Sequence, residues 1–301
     1  MVTSMTDILC IAECCCDIIF GGLPKVPSPG EEEYCREFCV KAGGGANTAM
    51  GLAKLGAKVK LATRLGRDTM GRIVEGCLRE TGIDMSAVLL DERAVTPVSA
   101  VLSTSEDRCF ASYGGDGGDF LDPAGLEESI RGCRHVHTYV GYCRRYPIIE
   151  LCEKHGKTLS LDTSWYDSTQ LESTREAMSR CQVFTPNQVE ACALAQTDDV
   201  MEALDILSAD CPHVIITLGK DGSVTKSGGK VYRSRPAKVP CVKDSTGAGD
   251  LFCAGYLYGF LQGWGVQETL DFASKSGGLA VTWYGGIDKG YTLENVSRLE
   301  L

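Results

Sequence analysis

The stretch Asp244-Ser-Thr-Gly-Ala-Gly-Asp250 combines an anion cradle with a carboxylate. Gly247, Ala248 and Gly249 let the backbone turn tightly with its N–H groups uncovered. The apolar series Phe252, Gly255, Tyr256, Gly259, Phe260, at i, i+3, i+4, i+7 and i+8, predicts a buried helix starting at this loop. The first N–H groups of a helix have no partner within it and carry the positive end of its dipole, so they attract anions. Asp250 at the mouth would repel a phosphate that merely bound there. It suits a reaction in which a base takes the proton of a hydroxyl that attacks a phosphoryl group. Asp is also favoured in first turns, so the loop by itself reads equally well as a capped helix.

A second small-residue loop, Ala42-Gly-Gly-Gly-Ala-Asn47, stands about 200 residues earlier and also opens a helix, with Ala49, Met50 and Ala53 on one face and Gly56 at its end. Pro186-Asn187-Gln-Val-Glu190 marks a further helix start. Asn-x-x-Glu is a capping box as well as a phosphate-chemistry signal, and the two readings are compatible. His135-x-His137 would place two imidazoles on one strand face, but no Cys, Asp or Glu nearby completes a ligand set, so a core or surface role is preferred. The chain has no G-x-x-x-x-G-K-[ST] and no G-x-G-x-x-G, which excludes a P-loop enzyme and removes the main support for a nicotinamide or flavin enzyme.

The elements that must hold these residues alternate. Residues 7–20 read as a strand entering the core, 21–30 as a Pro- and Gly-punctuated exit from it, and Tyr34 to Val40 as a strand outside the main body. A strand over 59–63, the loop Gly66 to Gly71 and a helix to Thr81 follow. Residues 97–113, turning at Ser105-Glu-Asp107, break the rhythm as a hairpin, read as a lid. Strands over 134–140, 158–162, 181–185 and 214–217 then alternate with helices over 124–131, 147–155, 171–179, 188–195 and 199–209. Short strands around Gly228-Gly229 lead to the Asp244 loop, and helices over 249–262 and 267–282 close the chain. Such alternation predicts an α/β fold with a mainly parallel central sheet covered on both faces, and ligands outside the carboxyl ends of its strands.

The chain has 301 residues, 44% hydrophobic and 23% charged, enough for one large domain with a sizeable core. A net charge of −10 and a pI near 5.0 argue against nucleic acid or an anionic membrane as partner. Sixteen cysteines without a C-x-x-C pair, in a chain too long to need staples, read as small buried hydrophobes in a reducing cytoplasm. No segment approaches 18 uninterrupted apolar residues, and the apolar N-terminus is broken by Asp7, Glu13 and Asp17. A soluble, cytoplasmic protein is expected.

With these motifs in order, the chain resembles the PfkB branch of the ribokinase-like carbohydrate kinases. Ala42 to Asn47, with Ala49, Gly56 and Gly66, is similar to that family's N-terminal signature, and Asp244 to Asp250 with Ala254-Gly255 to its C-terminal one; Asn187-x-x-Glu190 and Thr217-Leu-Gly219 fall between them in the family order. The resemblance covers essentially all residues, 1–301, as a single kinase domain. It implies a three-layer α/β/α ribokinase-like fold with a small β lid formed by about 13–40 and 95–113. It makes Asp250 the catalytic base and the N–H groups of Gly247, Ala248 and Gly249 the anion hole. Asn187 and Glu190 would hold Mg²⁺ through waters, with Asn187 also on the nucleotide side beside Thr217, Gly219 and Gly222, which would bind ATP. Asp17, Gly43 and Asn47 match positions that bind sugar hydroxyls. Cation-activated relatives imply K⁺ at Asp244 with carbonyls of Thr246, Ala280, Trp283 and Gly285. Pairing of such lids between subunits implies a homodimer.

For the substrate, the resemblance and the residues must be read together. Relatives acting on ribose or phosphorylated ketoses carry Lys within the glycine run, where this chain has Gly44. Ketodeoxygluconate kinases tend to show Asp-x-Asn-x-Arg where this chain has Asp162-Thr-Ser-Trp165. Gly43 to Thr48 contains no Arg or Lys, and Lys41 lies outside the loop, so a substrate phosphate would find no bidentate partner there. A free monosaccharide is therefore expected, fructokinase-like, unless Arg108, Arg144 or Arg145 swings in. The alternatives are a ribokinase, a 2-keto-3-deoxygluconate kinase, a nucleoside kinase, or a non-catalytic sugar-binding relative; an intact base beside the anion hole argues against the last.

Overall fold

The computed structural model describes residues 5–105, 107–119, 121–163 and 170–301. Glu106 of the hairpin turn and Ser164 and Trp165 of the Asp162 stretch lie outside the described residues. Among these, nine strands form the central sheet. In spatial order they are β13 (Lys230–Ser234), β12 (Ser223–Ser227), β11 (His213–Thr217), β10 (Val183–Phe184), β9 (Thr158–Asp162), β8 (Cys133–Tyr139), β1 (Thr6–Ile11), β4 (Val59–Gly66) and β5 (Asp84–Asp91). From β11 to β5 every pairing is parallel; β12 and β13 add an antiparallel edge. The chain order reverses about β1, whose neighbours are β8 and β4, and a crevice opens at the carboxyl ends of strands at such a switch point. Ile11, Tyr139 and Asp162 end their strands there.

The stretch expected to form one strand over residues 7–20 is two. β1 pairs with β4 and β8 only as far as Ile11, and β2 (Cys14–Leu23) then leaves the central sheet. A continuous apolar run cannot show this change of sheet, because both strands are largely buried. β2 pairs with β3 (Glu37–Gly44) and β6 (Val98–Thr104), and β6 with β7 (Arg108–Tyr113), giving the second sheet in the order β3-β2-β6-β7. This is the lid sheet, and the hairpin expected over 97–113 is its β6–β7 pair. Gly43 and Gly44 end β3 rather than sitting in a loop.

Helices α1 (Ala46–Lys54), α2 (Thr69–Glu80), α3 (Pro123–Arg131), α4 (Val140–Cys143), α5 (Ile148–Lys154), α6 (Leu171–Ser179), α7 (Gln188–Ala195), α8 (Val200–Leu207), α9 (Ala248–Gln262), α10 (Val266–Ala280) and α11 (Leu293–Arg298) cover the sheet. Among the described residues, hydrophobic clusters form around Leu126, Ile148 and Leu204, around Met50, Leu61 and Tyr256, and around Leu251, Phe272 and Tyr291. Sequence periodicity did not find β5, α4 or α11. β5 is an edge strand with mixed exposure, and the two helices are too short to show a period. All sixteen cysteines are free thiols, half of them buried, as expected of small hydrophobes. Among the described residues no helix is long and apolar enough to cross a membrane.

Asp68 joins body and lid hairpin. One oxygen caps α2 by accepting from Gly71 N (2.7 Å) and the other accepts from Thr96 N (2.8 Å), just before β6. Loss of a cap costs about 0.5–2 kcal/mol. Asp68→Ala is expected to lower the unfolding free energy by about 1–2 kcal/mol in denaturant titration, and an unchanged midpoint would contradict the dual role.

Candidate active site

The two small-residue segments open α1 and α9, which pack side by side because Gly51 has no side chain. A Cβ there would lie 2.6 Å from Leu251 Cδ2 and 2.9 Å from Ala254 Cβ. On the other flank of α9, a Cβ on Gly255 would lie 2.6 Å from Ser276 Cβ of α10. These close approaches bring residues 203 positions apart together: Asn47 Nδ2 donates to Asp250 Oδ2 at 3.1 Å. Thr48 Oγ1 donates to the Asp250 carbonyl at 3.4 Å. From the end of β8, Tyr139 hydroxyl reaches Asp250 Oδ1 at 3.4 Å. Tyr139 is a site residue that periodicity missed; its position at the carboxyl end of a strand beside the switch point was the available signal.

Burial pushes the Asp250 carboxyl up to about 6; the Asn47 hydrogen bond holds it down, nearby Asp17 pushes it up, and the Tyr139 hydrogen bond holds it down. A carboxyl poised there is largely ionised at neutral pH yet basic enough to take a hydroxyl proton. Asp17, on β2, is buried and also raised, first by burial. Gly43 on the neighbouring strand makes room for it, since any Cβ there would strike its carboxylate. Asn47 Oδ1 is buried with no partner among the described residues. An unpaired acceptor this deep is costly unless a ligand hydroxyl donates to it.

The cradle loop is braced from below. Gly247 takes a left-handed φ of 75° as N-cap of α9, and a Cβ there would meet Gly286 Cα at 2.5 Å. Asp244 accepts from Thr246 N (3.1 Å) and Thr246 Oγ1 (2.8 Å) through one oxygen and from Gly285 N (2.9 Å) through the other. Asp244, Thr246 and Gly285, three of the residues expected around K⁺, are thus drawn together; Ala280 ends α10, and Trp283 Nε1 donates to the Gly286 carbonyl at 3.0 Å. From the lid, Arg108 Nη1 donates to Ser245 Oγ.

A cavity of about 520 Å³ adjoins the cradle, lined by Thr217, Gly219, Gly222, Pro236, Val242, Ser245, Ala248, Gly249, Phe252 and Gly277 among others; Asn47 is not one of them. Its walls are mostly apolar and its inner end is the start of α9, which suits a nucleobase with its phosphates at a helix N-terminus. Asn187 is not one of its lining residues; it approaches only through a backbone bridge to Thr217. Asn187 and Glu190 do form a complete capping box, with Asn187 Oδ1 accepting from Val189 N and Glu190 N and Glu190 Oε2 accepting from Asn187 N. Glu190 Oε2 also accepts from Thr163 Oγ1 at 2.7 Å. The neighbouring Asp162 carboxyl is held well above the usual range, first by burial, then by Glu190 and Asp250. Among the described residues no three His, Cys, Asp or Glu side chains converge as a metal cage. Held through its own water shell, Mg²⁺ fits this donor set; direct coordination does not. His135 and His137 are core residues bonded to Thr158 and Ser160, kept neutral by burial that lowers them to about 3 and about 4.

The family model described as "pfkB family carbohydrate kinase" matches residues 5–135 and 146–291. A 5-dehydro-2-deoxygluconokinase of Geobacillus thermodenitrificans is 26% identical, over 97% of this chain and 92% of the relative. Among solved structures, adenosine kinase from Sinorhizobium meliloti superposes with a TM-score of 0.83 at 22% identity, covering 98% of this chain and 99% of its own. Arabidopsis thaliana ribokinase complexed with ribose and ATP superposes with a TM-score of 0.81 at 22% identity, covering 98% of each chain.

Asp250→Asn is expected to cut turnover about 10²–10⁴-fold with nucleotide affinity nearly intact, because an amide cannot take the hydroxyl proton. In the native protein kcat/KM should fall tenfold per pH unit below about 6 and level off above it. The stability effect has the opposite sign. A carboxyl raised in the folded state costs stability once ionised, about 3 kcal/mol here, absent below its unfolded value near 3.8 and complete above about 6. Asp250→Asn should therefore melt no lower than the native protein at pH 7.5. Near-normal turnover in that variant would remove the base.

Proposed function

This chain belongs to the pfkB family of carbohydrate kinases, phosphotransferases with an alcohol group as acceptor, and we propose that it transfers the γ-phosphoryl group of ATP to a hydroxyl of a free monosaccharide. The observation that carries the reading is the buried, raised Asp250 carboxyl set between Asn47, with its unpaired Oδ1, and the N–H groups that open α9. ATP lies in the apolar cavity with its γ-phosphate at Gly247, Ala248 and Gly249. Asp250 takes the proton of the acceptor hydroxyl as its oxygen bonds to γ-phosphorus. The bond from phosphorus to the β–γ bridging oxygen breaks, and ADP leaves with that oxygen. The cradle N–H groups hold the charge that spreads over the phosphoryl oxygens. Arg108 reaches the cradle from the lid and adds a positive charge beside it. Glu190 and Asn187 would hold Mg²⁺ through water, and the ion would supply neutralisation of the triphosphate. Residues 1–301 act as one kinase domain whose lid spans about 13–40 and 95–113.

On the sugar side, Asp17 and Asn47 offer acceptors to vicinal hydroxyls, with Gly43 clearing the space for Asp17. Nearby cations are engaged: Arg145 pairs with Asp119 at 2.8 Å, and Arg64 with Asp91 and Asp116 at 3.1 and 2.8 Å. The buried acidic pair Asp17 and Asp250 supports a neutral sugar, with a ketohexose such as fructose first. A second reading, an acidic ketosugar, is favoured by the 5-dehydro-2-deoxygluconokinase relative and by Arg108 at the lid. Exposed Tyr34, Phe38, Phe110 and Tyr113 on and beside the lid strands fit a second copy of the chain, so the reading includes a homodimer through the lid, in the cytoplasm.

Sugar-dependent ADP release should be measured with fructose, ribose, 5-dehydro-2-deoxygluconate, adenosine and fructose 6-phosphate. The highest specificity constant is expected for fructose. A higher one for 5-dehydro-2-deoxygluconate selects the second reading, and a higher one for fructose 6-phosphate overturns the free-sugar assignment.

The ions give a separate test. Glu190→Gln should raise the Mg²⁺ concentration for half-maximal rate, whereas equal loss at every Mg²⁺ concentration with a lowered melting temperature would leave only the capping role. K⁺ at Asp244 and the carbonyls of Thr246, Ala280, Trp283 and Gly285 would stiffen the cradle loop; identical rates in K⁺ and tetramethylammonium at equal ionic strength would remove it.

A further inference from the structure

The loop after α10 touches both halves of the site. One side meets the cradle: Gly285 N donates to Asp244 Oδ2, and Gly286 lies against Gly247 and Asn47 so closely that neither glycine has room for a Cβ. Its other side meets the lid. The Tyr284 ring lies on Gly21 of β2, where a Cβ would come within 2.6 Å of it, and Ile19 and the Lys41 stem pack beside Gly285. Lys41 Nζ donates to the Tyr284 carbonyl at 2.7 Å and to the Ile287 carbonyl at 3.0 Å, with Asp288 Oδ2 at 3.7 Å. The Lys41 side chain is mostly sheltered, with 21% relative exposure. Its strand, β3, leads directly into the Gly43-Gly44 segment and then α1 with Asn47.

We infer that Lys41 is a positioning residue that couples the lid to the anion hole. Its ammonium gathers two carbonyls and fixes the loop whose opposite face holds Asp244 and Gly247. Hydrogen bonds from a charged donor are about twice as strong as neutral ones. Lys41 is part of the lid sheet, so the brace is complete only when β3 is seated against the loop. The carbonyls it takes, Tyr284 and Ile287, are not those expected around K⁺, so the two cations would act on different faces of one loop. Cradle geometry then depends on lid position, and a displacement of about 1 Å at reacting atoms costs about 10²-fold. The inference rests on the anion-hole reading above, and its test has a readout that does not.

The variants are Lys41→Met, which keeps the stem and removes the charge, and Lys41→Ala, which leaves room for a small amine. With K⁺ and ionic strength fixed, Lys41→Met is expected to lower kcat about 10–100-fold with KM for ATP within about twofold. Amide hydrogen exchange should quicken at least about tenfold in 244–249 and 283–288, where Gly285 N and Thr246 N bond to Asp244, and stay unchanged in β1 and β8. Propylammonium, but not tetramethylammonium, should restore at least about fivefold of the rate to Lys41→Ala, by supplying the missing N–H donors. Native kcat and native loop protection in both variants would overturn the inference. Exchange quickened throughout the chain, without amine rescue, would overturn it equally, because Lys41 would then act only on stability. Should the native protein phosphorylate no sugar, the function reading fails while the exchange pattern still decides the brace.

Discussion

Everything in the site depends on holding one carboxylate, Asp250, out of water without neutralising it. Burial and nearby Asp17 favour its protonated form, and two hydrogen bonds, from Asn47 and Tyr139, oppose that. The Asn47 bond needs α1 to approach α9 across Gly51, and α10 holds the other flank of α9 by its approach across Gly255. The glycines in these helices carry a helix-propensity cost of about 1 kcal/mol each. What that cost secures is distance: a side chain on Gly51 would drive Asn47 away from Asp250.

The same crevice gathers further carboxyls, and its electrostatics follow from that. Asp17 and Asp162 are both raised, burial being the largest cause in each. Protein cations are kept to its edges, with Arg64 and Arg145 tied to aspartates and Arg108 and Lys41 bonded to the cradle and to the loop beneath it. A crevice arranged in this way repels an anion beside Asp17 and Asp250 and favours one where helix N–H groups and Arg108 converge. The difference between an acidic end at Asp17 and Asp250 and an anion-attracting end at the start of α9 is set by which charges are buried and which are paired.

Much of this was legible in the sequence where the signal is local. The helix starts near Asn47, Asn187 and Gly249, the capping box at Asn187 and the β6–β7 hairpin come from residue types at short spacing, whereas the place of Gly219 and Gly222 comes from the family resemblance. Two distant small-residue loops could be recognised as partners only through the family resemblance, since nothing local says that α1 lies on α9. Contacts across the chain were not legible. Tyr139 reaches Asp250 over 111 positions, and Lys41 reaches Tyr284 over 243. Neither leaves a periodic trace. The parting of β1 from β2 was hidden for another reason: both are buried strands, and hydropathy does not distinguish one sheet from the next.

The central claim is that the folded chain holds Asp250 as a buried carboxylate with raised proton affinity, balanced by Asn47. Carbon-13 NMR titration of the Asp250 side-chain carboxyl, assigned by comparison with Asp250→Asn, measures this directly. The account predicts a midpoint of about 6 and a higher one in Asn47→Ala, where the opposing hydrogen bond is lost. A midpoint in the ordinary range near 4, unmoved by Asn47→Ala, would contradict it.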